Sequence, residues 1–310
     1  MSIRILTSWL LAPLTLALSS GCTGKPVGPD DSAIGADDSA DTAVDDGPQP
    51  AALAALSDGE CPDFTEMGSS KFSSNGQERQ VITYWPASRA ENLPVVFVWH
   101  PLGGTARNMV TWLDLENYAE DQGVIVVVPN SLDSNQFEWD FWNGGTDDVT
   151  MYDDLRACVS QEFNANMKKV SATGMSAGAL WTTWLAIHRG DTLSTILPFS
   201  GGTEPVQDYS TPASNFPALI NYGGDTDSFS GGGVSVNFEQ TTINFSNELY
   251  ADGHEVILCN HNLGHTIPPE GRDMMDAWLT TQTYGLPNTV DVSALPDYCA
   301  TYDGSLTASP

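Results

Sequence analysis

Positive charge is scarce in this chain: 11 Lys and Arg stand against 40 Asp and Glu, a formal charge of −29. A field of that sign repels phosphate backbones and anionic lipid headgroups, which excludes nucleic acid and the bare membrane surface as partners. The excess is not confined to one tail, because from Cys61 onward 31 acidic residues face 9 basic ones, a net of −22. Cysteine is sparse too, with 5 in 310 residues, and no Cys-x-x-Cys pair or His/Cys ligand spacing occurs. A structural zinc site is thereby excluded. Residues 23–60 contain no aromatic side chain at all.

What is present begins with a targeting pattern. Arg4 precedes the largely apolar residues 5–20, which Pro13 interrupts, so the stretch is too short and broken for a spanning helix. Ser19-Ser20-Gly21-Cys22 then places small residues before a cysteine. Residues 1–22 resemble a bacterial lipoprotein signal, with Cys22 as the lipidated first residue after cleavage; the alternative is an ordinary secretory signal. The expected location is outside the cytoplasm, either lipid-anchored to the cell envelope through Cys22 or secreted.

Residues 23–60 are rich in Asp, Ala, Ser, Gly and Pro, with acidic pairs at Asp30-Asp31, Asp37-Asp38 and Asp45-Asp46. Those pairs lack the ligand spacing of a calcium loop. With so little apolar surface to bury, the segment is expected to be a disordered acidic linker. Residues 61–310 suffice for one sizeable α/β domain. Cys61, Cys158, Cys259 and Cys299 in an exported domain imply two disulfides, with three pairings open.

Within the domain, β-like and helical signals alternate. Strands are expected at 79–85, 94–99, 124–129, 169–173, 193–199, 217–222 and 255–258, and helices at 106–122, 151–163, 179–187 and 273–282. The run Val124-Ile125-Val126-Val127-Val128 is nearly pure β-branched, as suits a strand buried on both faces of a parallel sheet. Alternation of this kind predicts an open, mostly parallel sheet flanked by helices, with sites at the carboxyl ends of its strands.

The chemistry-bearing residues fall after those strands. Gly174-Met175-Ser176-Ala177-Gly178 lies between a short strand and an apolar helix, the setting of a nucleophile elbow, where small residues two before and two after the serine let strand and helix approach. A serine nucleophile needs a base, a carboxylate to orient that base, and donors for an oxyanion. Downstream, Gly224-Asp225-Thr226-Asp227 follows the strand at 217–222, and Gly264-His265-Thr266-Ile267-Pro268 follows the strand at 255–258. Ser, Asp, His is the chain order of the α/β-hydrolase triad.

With these motifs the chain resembles the α/β-hydrolase esterases related to polyhydroxybutyrate depolymerases and bacterial feruloyl or acetylxylan esterases. The likeness rests on the elbow at Ser176, the loop His100-Pro101-Leu102-Gly103-Gly104, the Gly-x-x-Asp turn ending at Asp227, and the Gly-His-Thr-x-Pro segment at His265. It implies an α/β-hydrolase fold and a serine esterase acting through an acyl-enzyme, with Ser176 as nucleophile, His265 as base and Asp227 as acid. Asp225 is the alternative acid. Where the family has glycine after the first histidine this chain has Pro101, which has no N–H, so the oxyanion donors are expected to be Ala177 and either Leu102 or Gly103. No cofactor and no metal are required. Trp139, Phe141 and Trp142 either line the substrate pocket or pack in the core. The partner is an ester, polymeric or small: a polyester such as polyhydroxybutyrate, or feruloyl or acetyl esters of polysaccharide. Rivals are a serine peptidase or thioesterase on the same fold, and a surface lipoprotein that binds without turnover.

Overall fold

The computed structural model describes residues 47–132 and 138–307. The expected signal, its Cys22 and most of the linker lie outside the described residues. In chain order the elements are β1 (Gly68–Ser74), β2 (Gln77–Tyr84), β3 (Val95–Trp99), α1 (Ala106–Trp112), α2 (Leu115–Gln122), β4 (Ile125–Pro129), α3 (Thr146–Phe163), β5 (Val170–Met175), α4 (Ala177–Arg189), β6 (Thr195–Phe199), β7 (Ala218–Tyr222), β8 (Ser228–Gly231), β9 (Val234–Asn237), α5 (Phe238–Ala251), β10 (Val256–Asn260), α6 (Gly271–Trp278) and β11 (Cys299–Thr301).

Nine strands form one sheet in the order β1-β2-β4-β3-β5-β6-β7-β10-β11. The six from β4 to β10 run parallel, and β2, β1 and β11 close the edges antiparallel. Every residue of β3, β4, β5, β6 and β7 is buried, which accounts for the continuous apolar runs of β3 and β4. Alternation within β3 splits the core: Val95, Phe97 and Trp99 face the side covered by α3, α4 and α5, while Val96 and Val98 face α1, α2 and α6. The fold is that of the α/β-hydrolases. Among the described residues no helix is long and apolar enough to cross a membrane.

Two expectations require correction, and one left open is resolved. The helix expected over 106–122 is two helices, because Asp114 turns into the left-handed region (φ 49°) and holds Asn117 Nδ2 at 2.9 Å. Residues 47–60, assigned above to the linker, lie against the folded body. They form no helix or strand, yet Ala51 N–H donates to Asp191 O (2.7 Å), Arg156 donates to Ala51 O, and the Ser57 N–H and hydroxyl both donate to Asp154. Leu56 packs on the core, so backbone pairing and one apolar anchor hold a segment whose composition alone reads as solvated. The cysteines resolve to Cys61–Cys158 and Cys259–Cys299; the first ties the docked segment to α3, and the second joins the paired positions of β10 and β11.

Candidate active site

Ser176 sits at the tip between β5 and α4 with φ 56° and ψ −118°. A non-glycine residue so placed costs about 1–3 kcal/mol, held here by the surrounding backbone. The Ser176 N–H donates to Phe199 O (3.0 Å), and Leu180 N–H donates to Ser176 O (2.8 Å). The elbow closes because its flanks lack side chains. A Cβ on Gly178 would stand 2.2 Å from Trp99 O, and one on Gly174 would stand 2.5 Å from Gly178 O.

Ser176, Asp227 and His265 follow β5, β7 and β10, three strands whose carboxyl ends share one side of the sheet. His265 Nε2 lies 2.9 Å from Ser176 Oγ, and His265 Nδ1 lies 2.7 Å from Asp227 Oδ1. An Nδ1–H donated to the carboxylate leaves Nε2 as acceptor for the serine hydroxyl, so the tautomer is set by its partners. Asp227 is fully buried, and its Oδ2 accepts from Ser200 Oγ (2.7 Å) and from Gly223 N–H (2.8 Å). The imidazole is flanked by the Phe238 ring, stacked at 4.5 Å between centroids and 15° between planes. Phe238 opens α5, and its N–H donates to Asp227 O (2.8 Å), so one residue steadies both the acid loop and the base.

Asp225, the alternative acid, is exposed and takes no part in this hydrogen-bonded chain. Ser200 and Phe238 carry no motif and were not expected at the site. The one available signal for Phe238 was the helix start at Asn237, whose side chain accepts from Gln240 N–H.

The loop after β3 contributes less than expected. Gly103 N–H donates to Glu138 Oε1 (2.9 Å), so it is not directed at a reacting oxygen, and Gly104 N–H donates to Pro101 O (2.9 Å). Gly103 is therefore corrected as a candidate donor, while Leu102 lines the cavity beside Ser176. Ala177 is the first residue of α4, where an N–H has no partner within the helix and the helix dipole is positive. His100 braces the loop: its Nε2 accepts from Ser131 N–H (3.1 Å), its Nδ1 lies 3.0 Å from Pro101 O, and burial holds its pKa below the ordinary histidine value.

Of the two roles open to Trp139, the structure shows core packing. It is fully buried, donates Nε1–H to His100 O (2.8 Å), and packs edge-on to Trp99 and parallel to Trp181. It is a core residue that backs the loop, while Phe141 and Trp142 reach an apolar cavity next to Ser176. Arg79 and Asp148, both fully buried, pair at 2.8 Å, and Asp148 Oδ2 accepts from Asp140 N–H (2.7 Å), pinning the turn that carries these aromatics. Burial pushes Asp148 up to about 6 despite the guanidinium beside it. Among the described residues no group of three His, Cys, Asp or Glu is placed to hold a metal ion.

No family model matches the chain. Part of it is similar to curated proteins: it is 30% identical over 138 residues to feruloyl esterase B of Talaromyces stipitatus, covering 43% of this chain and 38% of that protein. It is 31% identical over 137 residues to acetylxylan esterase A of Talaromyces purpureogenus, covering 42% and 35% respectively. The matched segment is thus well under half of either relative. The solved structure of native pOPH superposes with a TM-score of 0.62 at 16% identity over 80% of this chain and 98% of that one. The S-formylglutathione hydrolase FrmB of Staphylococcus aureus does so with 0.54 at 16% identity over 70% and 96%. With the strand order and the elbow already described, these likenesses make the chain an α/β-hydrolase-fold protein, homologous over part of its length to feruloyl and acetylxylan esterases.

Proposed function

We propose that the chain is a serine hydrolase of carboxylic esters, with feruloyl or acetyl esters of polysaccharide, or a polyester such as polyhydroxybutyrate, as the substrate range. The observation that carries this reading is the continuous chain from buried Asp227 through His265 to Ser176, whose hydroxyl faces an open cavity. His265 takes the Ser176 proton as Oγ attacks the ester carbonyl, and Asp227 holds the ring and stabilises the imidazolium. The Ala177 and Leu102 amides receive the oxyanion. His265 then protonates the departing alcohol, and water attacks the acyl-enzyme with the same base.

The esterase names of the partial relatives support ester chemistry over amide chemistry. Two disulfides favour an oxidising compartment, in keeping with export by the leader and attachment through Cys22. The test is hydrolysis of nitrophenyl esters set beside an amide and a thioester of the same acyl group. Ester turnover that disappears in Ser176→Ala and His265→Ala is expected. Faster cleavage of the amide or the thioester would replace this reading with the peptidase or thioesterase, and equal rates in wild type and Ser176→Ala would overturn serine catalysis.

A further inference from the structure

Ser176 stands between two cavities of very unequal size. One, of about 520 Å³, is lined by His265, Thr266, Ile267, Pro268 and Trp112 among others. The other, of about 30 Å³, is lined by Phe141, Trp142, Leu180, Val236 and Phe238, with Ala177 at its edge. Leu102 and Phe229 border both.

The chemistry assigns the two sides. The proton that His265 removes from Ser176 must be delivered to the oxygen of the departing alcohol, so the alcohol occupies the side that His265 lines. Its oxygen and the acyl chain leave the carbonyl carbon in different directions. The acyl chain therefore enters the cavity bounded by Ala177 and Leu180. Its volume is two to three times the roughly 10–15 Å³ that a single water needs on the same measure, the scale of a short acyl group. Three of its walls resist widening: the Leu180, Val236 and Phe238 side chains are 4%, 4% and 1% exposed.

We propose that the enzyme is selective for esters of a short acyl group, acetyl or propionyl, on a bulky alcohol, and that it rejects acyl groups of feruloyl size. This rests on the serine esterase reading and narrows it. In the step, Ser176 Oγ bonds to the acyl carbon and the bond from that carbon to the alcohol oxygen breaks. The alcohol leaves with the proton from His265. Water then adds to the acyl carbon, giving its proton to His265, which returns it to Ser176 as the short carboxylic acid departs.

The experiment compares kcat/KM of the full chain on nitrophenyl acetate, butyrate and octanoate and on methyl ferulate. Acetate should exceed butyrate by about tenfold or more, with octanoate and ferulate lower still. Val236→Ala and, independently, Phe141→Ala should each move the acetate-to-butyrate ratio toward butyrate by about fivefold or more, thermal melts establishing that both variants fold. Octanoate or ferulate cleaved as well as acetate by wild type would overturn the short-acyl assignment while leaving the esterase reading intact. An unchanged ratio in both folded variants would overturn this cavity as the acyl site. No Ser176-dependent cleavage of any ester would instead sink the esterase reading, and the inference with it.

Discussion

Asp227 and Asp225 lie two positions apart, yet only one is committed to the site. Both oxygens of Asp227 are engaged, Oδ1 by His265 and Oδ2 by Ser200 and the Gly223 amide, whereas Asp225 is exposed. Asp227→Asn should lower kcat by about 10³–10⁴-fold by favouring the wrong imidazole tautomer. Asp225→Asn should stay within about twofold of wild type, as surface substitutions do. Steady-state kinetics of the two variants checks both, and the opposite pattern would reassign the acid. Ser200→Ala removes one of the two donors to Asp227 Oδ2 without touching substrate. It should reduce kcat about tenfold with KM little changed, an effect that Ser200→Thr, which keeps the hydroxyl, should partly restore.

At the scale of elements, the elbow depends on backbone proximity. Gly178→Ala would place Cβ 2.2 Å from the Trp99 carbonyl, and backbone cannot yield as a flexible side-chain tip can. The variant should lose about 3 kcal/mol or more in urea unfolding, or fail to accumulate folded. The turn bearing Phe141 and Trp142 depends on the buried Arg79–Asp148 pair. Asp148→Ala should cost about 3–5 kcal/mol by leaving the Arg79 charge uncompensated. Denaturant titration of each variant reads these losses.

The same elements show what the sequence could convey. Strands β3 and β4 were legible because both faces are buried and their side chains are apolar throughout, while β5, β6 and β7 carry a few buried polar residues among apolar ones. The hydrogen-bonded chain of Ser176, His265 and Asp227 was legible because the elbow requires two glycines and the other two residues sit in short motifs after strands. The β8–β9 hairpin is short and half exposed, and α5 is rich in Thr, Asn and Ser, so neither gave a periodic apolar signal. Ser200 could not be recognised, since a lone hydroxyl gains its role only when β6 and β7 lie side by side. The choice between Leu102 and Gly103 could not be read, because the loop motif does not disclose that Glu138, 35 residues on, accepts the Gly103 N–H. Position along the chain left Trp139 open between pocket and core, and only the packing of Trp99 and Trp181 around it decides for the core.

Across the whole molecule, the sheet order gathers the ends of β3, β5, β7 and β10 on one side, so residues spread from 102 to 265 meet at one cavity. The Cys61–Cys158 bridge spans 97 positions and fastens the docked segment that precedes β1. Replacing both cysteines by serine should cost about 2–5 kcal/mol and lower the melting temperature, measurable by thermal unfolding in oxidising buffer. In the proposed chemistry Ser176 is a nucleophile armed by His265 and Asp227. Covalent labelling with diethyl nitrophenyl phosphate, read by peptide mass spectrometry, tests it most directly. One diethylphosphoryl group per chain is expected, carried on Ser176, with ester hydrolysis lost in step and labelling abolished in Ser176→Ala and strongly slowed in His265→Ala. A label on another residue, or hydrolysis that survives full labelling of Ser176, would contradict it.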